Sequence, residues 1–320
     1  MPCFRPAPAR RAPHVVLTGA LAAAALAGCA SSPRMMHDHG TTVATTTTAT
    51  TAVPAAPTVA VSAAGTLPPD ANTAAARLAA SSRHGEYAMI RAGNDSVRAW
   101  VVYPERATKA PVVVVVHEIF GLSTWVRAVA DQLAADGFIA VAPDLLTGYP
   151  VNGNPDDVTN IQGAIAQISR LDTAQVQRRI AAAAAYGMGL PAAEPRYGVV
   201  GFCWGGSASF QHAVFAGQTN APGYSAGVIY YGGAPSPAEL TKEKAPLLGH
   251  FGGNDARVNA TLPAADSTLK AAGRTHQFSI YGGAGHGFLR QQDGAGGANL
   301  TASRQAWPAT VAWFRRYLER

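Results

Sequence analysis

A cysteine in a glycine-rich turn is the residue of this chain best suited to chemistry. Cys203 lies in the run Gly201-Phe202-Cys203-Trp204-Gly205-Gly206, directly after an apolar strand and directly before a helix start rich in small residues. This is the pattern of a nucleophile elbow, with cysteine in place of serine. The glycines leave room for the tight turn, the helix N-terminus favours a thiolate, and the backbone N–H of Trp204 is expected to line an oxyanion hole. A buried structural cysteine is the alternative, since free cysteines are often buried.

An elbow nucleophile requires a base and an orienting acid, which follow it in the order acid and then histidine. Asp255 and His286 meet this requirement, because each follows a predicted strand and glycines flank His286. The two other histidines of this region, His250 and His276, are weaker candidates because they lie in or beside strands. The order of Cys203, Asp255 and His286 therefore predicts a triad of nucleophile, acid and base, against the alternative of an ordinary turn aspartate and loop histidine.

A second group of residues follows the apolar run at 112–116, in the sequence His117-Glu118-Ile119-Phe120-Gly121. In folds with a nucleophile elbow this loop supplies the second oxyanion N–H, for which Ile119 is the expected donor. Glu118 is unusual beside a nucleophilic thiol, because a nearby carboxylate opposes formation of the thiolate.

Strands that alternate with helices must hold these residues in place. Residues 86–91 and 96–103 predict a strand pair around a turn at 93–95, and the valine run at 111–116 is typical of a strand buried on both faces. Further strands are predicted at 138–141, 197–200, 228–231, 247–251 and 277–281. Apolar residues at helical spacing predict helices at 126–133, 161–168, 176–180, 207–215 and 311–318. This alternation indicates an α/β fold with a mostly parallel central sheet and helices on both faces.

Taken together, these motifs resemble the dienelactone hydrolase family over about residues 84–320. The shared motifs are His117-Glu118-Ile119-Phe120-Gly121, Ala142-Pro143-Asp144-Leu145, Gly201-Phe202-Cys203-Trp204-Gly205-Gly206, Asp255 and Gly285-His286-Gly287-Phe288. The resemblance implies an α/β-hydrolase fold, hydrolysis of a carboxylic ester or lactone, and a triad of Cys203, Asp255 and His286. It also implies that substrate displaces or engages Glu118, so that the thiolate forms only when substrate is present.

One position of the resemblance concerns the charge of the substrate. Arg290, four residues after His286, matches an arginine that holds a substrate carboxylate in this family. The family's second substrate arginine has no counterpart here, since residues 146–160 contain no arginine. The resemblance therefore leaves open whether the substrate is anionic, and Arg290 has the alternative of being a solvated surface residue.

The N-terminal residues read as an export signal and a linker. Residues 1–28 contain a basic stretch, an apolar run and small residues, as a secretion signal does. The ending Leu26-Ala27-Gly28-Cys29 resembles a bacterial lipobox, which implies cleavage before Cys29 and lipid attachment to its sulfur. Residues 29–75 are rich in Thr, Ala and Pro and predict a disordered tether, so that residues 76–320 form the hydrolase domain. The expected location is the bacterial envelope, with a lipid anchor in the membrane and the domain in the periplasm.

Charge and composition exclude several other classes of protein. The net charge is +6, and three of the basic residues belong to the leader, which leaves +3 once the leader is removed. The remaining basic residues are scattered, so nucleic-acid binding is not expected. No apolar run reaches the length of about eighteen residues that a membrane-spanning helix needs. The mechanism needs no cofactor or metal, and the short tract Met35-Met36-His37-Asp38-His39 is read as part of the tether rather than as a copper or zinc site.

Two other functions remain open at this stage. A general periplasmic esterase for neutral esters would use the same triad without a preference for a free carboxylate. A hydrolase fold that only binds a ligand is a different class, and the complete triad counts against it. A small-molecule ester or lactone is the partner that the motifs favour.

Overall fold

The computed structural model describes residues 66–149, 154–156 and 159–319. Most of these residues belong to a central sheet and to the helices that cover it. Within these residues there are eight strands and nine α-helices. The strands are β1 (Gly85–Ala92), β2 (Asp95–Val102), β3 (Ala110–Val116), β4 (Ile139–Pro143), β5 (Ala193–Phe202), β6 (Tyr224–Tyr230), β7 (Leu247–Gly252) and β8 (His276–Tyr281). The helices are α1 (Ala74–Ala79), α2 (Thr124–Ala135), α3 (Ile161–Ile168), α4 (Thr173–Met188), α5 (Trp204–Thr219), α6 (Pro237–Leu240), α7 (Ala256–Asn259), α8 (Leu262–Ala271) and α9 (Ala298–Leu318).

The sheet has the strand order β1-β2-β4-β3-β5-β6-β7-β8. The pairs β1–β2 and β2–β4 are antiparallel, and β3 to β8 are parallel to their neighbours. The predicted α/β-hydrolase fold is therefore confirmed, with strand ends that differ from the predicted ones by a few residues. The helix after the elbow begins at Trp204 rather than at residue 207, because the turn at Cys203 leads directly into it.

Helices cover both faces of the sheet, and β3 shows how the sequence achieves this. Val113 and Val115 pack with α2 and α9, whereas the alternate residues Val112, Val114 and Val116 pack with α4 on the opposite face. Side chains alternate between the two faces of a strand, so an unbroken run of valines suits a strand that is covered on both sides. The carboxyl ends of the parallel strands thus meet at one edge, where the loops after them lie close together.

Residues 66–75 belong to the folded part, although the sequence predicts them as tether. Leu67 and Ala71 pack against the core, and the Trp125 indole N–H donates to the carbonyl oxygen of Pro69 at 3.0 Å. The N–H of Ala71 donates to the carbonyl oxygen of Arg290 at 2.9 Å. The prediction is wrong here because composition does not reveal that the few apolar groups of a short segment contact residues far along the chain. The predicted end of the tether at residue 75 therefore lies too far along the chain, since residues 66–75 already belong to the folded part.

Other N-terminal predictions lie outside the described residues. These are the signal at 1–28, the lipid attachment at Cys29, the tether up to residue 65 and the tract at 35–39. Among the helices that the structure does describe, none is long and apolar enough to cross a membrane.

Candidate active site

The turn at Cys203 has the strand–turn–helix geometry that the sequence predicts. Cys203 has φ 58° and ψ −117° between the end of β5 and the first residue of α5, and its N–H donates to the carbonyl oxygen of Tyr230 at 3.1 Å. A positive φ is costly for a residue with a side chain, and such strain is commonly found at functional sites. A Cβ added at Gly201 would collide with the carbonyl oxygen of Gly205, and one added at Gly205 would collide with that of His117. Glycine is therefore required at both positions for the turn to form.

His286 and Asp255 are joined by a short hydrogen bond at the same edge of the sheet. The His286 Nδ1–H donates to Asp255 Oδ2 at 2.5 Å, and the aspartate is buried whereas a third of the His286 side chain is exposed. Asp255 caps α7, since its other oxygen accepts the Val258 N–H at 3.4 Å. The ring of Tyr231 packs against the imidazole with a centroid distance of 5.1 Å. This arrangement fixes the ring and leaves Nε2 as the nitrogen available for proton transfer.

The two weaker histidine candidates lie elsewhere and have structural partners. His250 is fully buried between the hydroxyls of Tyr281 and Thr310, and burial lowers its pKa to about 3. His276 is the first residue of β8, opposite the carboxyl end of the strand, and its Nε2 lies 3.0 Å from Asp266 Oδ1. Neither lines the cavity that contains Cys203.

Glu118 forms a buried ion pair with Arg290, a contact between residues that are 172 positions apart in the chain. Arg290 Nη1 lies 2.7 Å from Glu118 Oε2, and both side chains are less than a tenth exposed. The guanidinium also stacks over the rings of Phe120 and Trp125, at 5.0 and 5.7 Å from their centroids. Burial raises the pKa of Glu118, and Arg290 opposes that rise. The surface alternative for Arg290 is therefore wrong, because its guanidinium is enclosed and paired.

A buried histidine holds the loop that carries Glu118. His117 Nε2 accepts the backbone N–H of Leu145 at 3.0 Å, so its Nδ1 must carry the proton and donate to the carbonyl oxygen of Glu118 at 2.6 Å. Its ring stacks on Trp204 at 5.7 Å, and burial lowers its pKa. His117 therefore remains neutral and links the loops after β3 and β4 to the first residue of α5.

The thiol of Cys203 is in a setting that disfavours its ionisation. Its pKa is raised to about 11, first by burial and second by the negative charge of Glu118. A hydrogen bond from the Trp204 backbone N–H and the positive charge of Arg257 act in the opposite direction. At neutral pH Cys203 therefore carries a thiol rather than a thiolate.

One cavity of about 660 Å³ contains almost all of the residues that the sequence singles out. Its wall includes Cys203, Trp204, Glu118, Ile119, His286 and Arg290, and Asp255 lies behind His286. No group of three or more His, Cys, Asp or Glu side chains placed to hold a metal ion occurs among the described residues. The arrangement combines a cysteine sulfur on a strained turn, a histidine paired with an aspartate, and the Trp204 backbone N–H beside the sulfur, and such a set of groups is suited to acyl transfer.

Sequence reasoning missed several residues of the cavity wall. Arg257 follows Asp255 by two positions, and a cation so close to the predicted acid is a signal that could have been noticed. Tyr231 follows β6 with φ 41°, and its hydroxyl is buried without a hydrogen-bond partner in the described part of the chain. The spacing of the isoleucines in α3 predicts a helix, but nothing in this spacing indicates that the isoleucines line a cavity.

Comparison with known proteins identifies the family to which this chain is similar. The family model described as the dienelactone hydrolase family matches residues 97–318. A protein of Methylorubrum extorquens, provisionally named a carboxymethylenebutenolidase, is 32% identical over 234 residues, which are 69% of this chain and 77% of that protein. A protein of Salmonella typhimurium with the same provisional name is 28% identical over 264 residues, covering 76% of this chain and 94% of that protein. A crystal structure from Klebsiella pneumoniae, provisionally assigned as a dienelactone hydrolase, superposes with a TM-score of 0.63 at 25% identity and covers 74% of this chain and 100% of its own.

Proposed function

The chain belongs to the dienelactone hydrolase family and is a hydrolase, and on this premise we propose that it cleaves a carboxylic ester or lactone through a thioacyl-enzyme on Cys203. The observation that carries the proposal is the presence of Cys203 and the Asp255–His286 pair at one cavity, with the thiol on a strained elbow. Small-molecule esters and lactones are the substrates that this family implies.

The proposed reaction consists of two acyl transfers. In the first, the Cys203 proton passes to His286 Nε2, the sulfur attacks the ester carbonyl carbon, and the imidazolium then protonates the leaving alkoxide oxygen as the C–O bond breaks. In the second, His286 removes a proton from water, the water oxygen attacks the thioester carbon, and the C–S bond breaks to release the acid and restore the thiol. The N–H groups of Ile119 and Trp204 are the proposed oxyanion donors, and loss of one such donor costs about 3–4 kcal/mol of barrier lowering.

Glu118 is proposed to keep the thiol protonated until substrate arrives. Its charge raises the pKa of Cys203, and its own partner is Arg290 at 2.7 Å. A substrate carboxylate that binds Arg290 would compete with Glu118 for the guanidinium, since arginine binds carboxylates through paired hydrogen bonds. Protonation also protects a thiol from oxidation, because the thiolate is the form that is oxidised.

The nucleophile is tested by replacing Cys203 with alanine. We expect the variant to keep its fold by circular dichroism and to lose several orders of magnitude in kcat/KM on p-nitrophenyl acetate and on a carboxylate-bearing butenolide. A folded variant that retains most of the hydrolysis would contradict the proposal. Complete inactivity of the wild type on a broad ester and lactone panel would favour a ligand-binding protein instead.

A general esterase for neutral esters is the second candidate function, and the apolar part of the cavity wall favours it. Replacing Arg290 with methionine separates the two candidates, because Arg290 is proposed to hold a substrate carboxylate. If the substrate is anionic, KM for the carboxylate-bearing butenolide should rise about 10- to 150-fold, which corresponds to the loss of about 1.5–3 kcal/mol from a hydrogen bond to a charged group. KM for p-nitrophenyl acetate should rise much less. Equal losses on both substrates would indicate that Arg290 supports the loop rather than the ligand.

We also propose that the protein is exported and anchored by lipid at Cys29, with the domain in the periplasm. The support is the order of basic stretch, apolar run and cysteine in the first 29 residues. Cells expressing the full chain with a labelled fatty acid should yield labelled protein in the membrane fraction, and Cys29→Ala should remove the label. A wild-type protein that is soluble and unlabelled would refute the anchor.

A further inference from the structure

Helix α3 presents an apolar face to the cavity that contains Cys203. Ile161, Ile165 and Ile168 all line the cavity, and their spacing places them on one side of the helix. Ile161 is 49% exposed and Ile165 is 42% exposed, which makes them two of the five large hydrophobic side chains that are exposed among the described residues. Apolar side chains that remain exposed next to one another commonly mark a ligand-binding groove or an interaction surface.

The rest of the cavity is consistent with a ligand larger than a compact lactone. Its volume of about 660 Å³ lies in the range that holds drug-sized ligands. Ile119 and Phe120 add further apolar surface from the loop after β3. Among the charged groups of the wall, Glu118 and Arg290 are paired with each other, and Arg257 is a further cation whose charge acts on the sulfur.

We propose that α3 forms a hydrophobic subsite and that the preferred substrates are esters or lactones with an extended alkyl or aryl group. This inference rests on the proposed function, because it assumes that Cys203 performs the hydrolysis. The isoleucine face would cover the apolar group of the substrate while its carbonyl carbon lies at the sulfur. Specificity would then come from the apolar area of the substrate that binding removes from solvent, as it does in other apolar pockets.

The test is a series of p-nitrophenyl esters from acetate to octanoate. For wild type we expect kcat/KM to rise about three- to fourfold for each added methylene that reaches the subsite, which is the gain from burying one such group. Ile161→Ser and Ile165→Ser should each lower the ratio of octanoate to acetate kcat/KM by roughly tenfold, since each removes most of one side chain's apolar contact. Ile280→Ser is the matched control, because Ile280 is 57% exposed on β8 and does not line the cavity. That variant should keep the wild-type ratio.

The outcomes separate this inference from the proposed function. A flat chain-length series in the wild type, or a ratio that Ile165→Ser does not change, would overturn the subsite even if Cys203→Ala is inactive. An active Cys203→Ala would overturn the mechanism and leave the subsite to a binding measurement. For that measurement, calorimetry with Cys203→Ala should detect binding of 2-decanone that is weakened by Ile165→Ser, and absence of binding would overturn the subsite.

Discussion

Replacing Glu118 with glutamine tests how the site controls the ionisation of Cys203, the proposed nucleophile. The substitution keeps the shape of the side chain and removes the negative charge that raises the pKa of Cys203. It also leaves the charge of Arg290 without its partner, and this too favours a thiolate. The pKa of Cys203 should therefore fall, and the thiolate fraction at any pH below that pKa should rise.

The size of the effect follows from the causes of the raised pKa. The rise from 9.0 to about 11 lowers the thiolate fraction about 100-fold at neutral pH. Burial is the larger cause and remains in the variant, so loss of the charge should recover only part of this factor, about tenfold in the thiolate fraction if the pKa falls by about one pH unit. A thiolate of lower pKa is also less nucleophilic, by about threefold for each pH unit, so we expect alkylation to accelerate about threefold.

The assay is the rate at which iodoacetamide modifies Cys203, followed by mass spectrometry of the peptide that contains it, so that Cys3 and Cys29 do not interfere. In the wild type the rate should keep rising with pH up to about pH 11, where the thiol is half ionised. Glu243→Gln is the control, because Glu243 is also a buried carboxylate but does not line the cavity. An unchanged or slower rate in Glu118→Gln would refute the electrostatic account of the resting thiol.

Three further predictions concern other parts of the site. Asp255→Asn should lower kcat for p-nitrophenyl acetate by about 10³–10⁴-fold without unfolding the protein, because the amide favours the wrong tautomer of His286. A loss of less than tenfold would exclude Asp255 as the orienting acid. Arg257→Ala should slow iodoacetamide modification of Cys203 at pH 8, because it removes a charge that lowers the thiol pKa, and a faster reaction would contradict this. Gly201→Ala should reduce the free energy of unfolding in urea by at least about 3 kcal/mol, because the added methyl group collides with the backbone of Gly205. Gly282→Ala is the control and should change this free energy little, because there is open space around Gly282. Equal effects of the two substitutions would argue against the tight elbow.

Features that depend on neighbouring residues can be predicted from the sequence, whereas features that depend on contacts between distant segments cannot. The valine run of β3 shows a doubly buried strand by itself, since side-chain alternation is a local property. The elbow at Cys203 is equally local, because the glycines around it meet a backbone requirement within a few residues. The order of Cys203, Asp255 and His286 could be combined with these signals, so the fold and the candidate triad were both accessible from the sequence.

Other features depend on segments that meet only in the folded protein. The pairing of Glu118 with Arg290 joins positions 172 residues apart, and neither residue's neighbours indicate it. The packing of residues 66–75 on Trp125 likewise comes from a partner far along the chain, which composition does not reveal.

Helix α3 shows the same limit most clearly. Its spacing predicts an apolar face, but an apolar face can turn toward a core or toward a cavity with the same pattern. The sequence by itself therefore determined the sheet, the elbow and the candidate reactive groups. Only the tertiary structure decided that Arg290 is enclosed and paired and that Ile161 and Ile165 remain open beside the thiol, because both depend on which distant surfaces the packed sheet brings together.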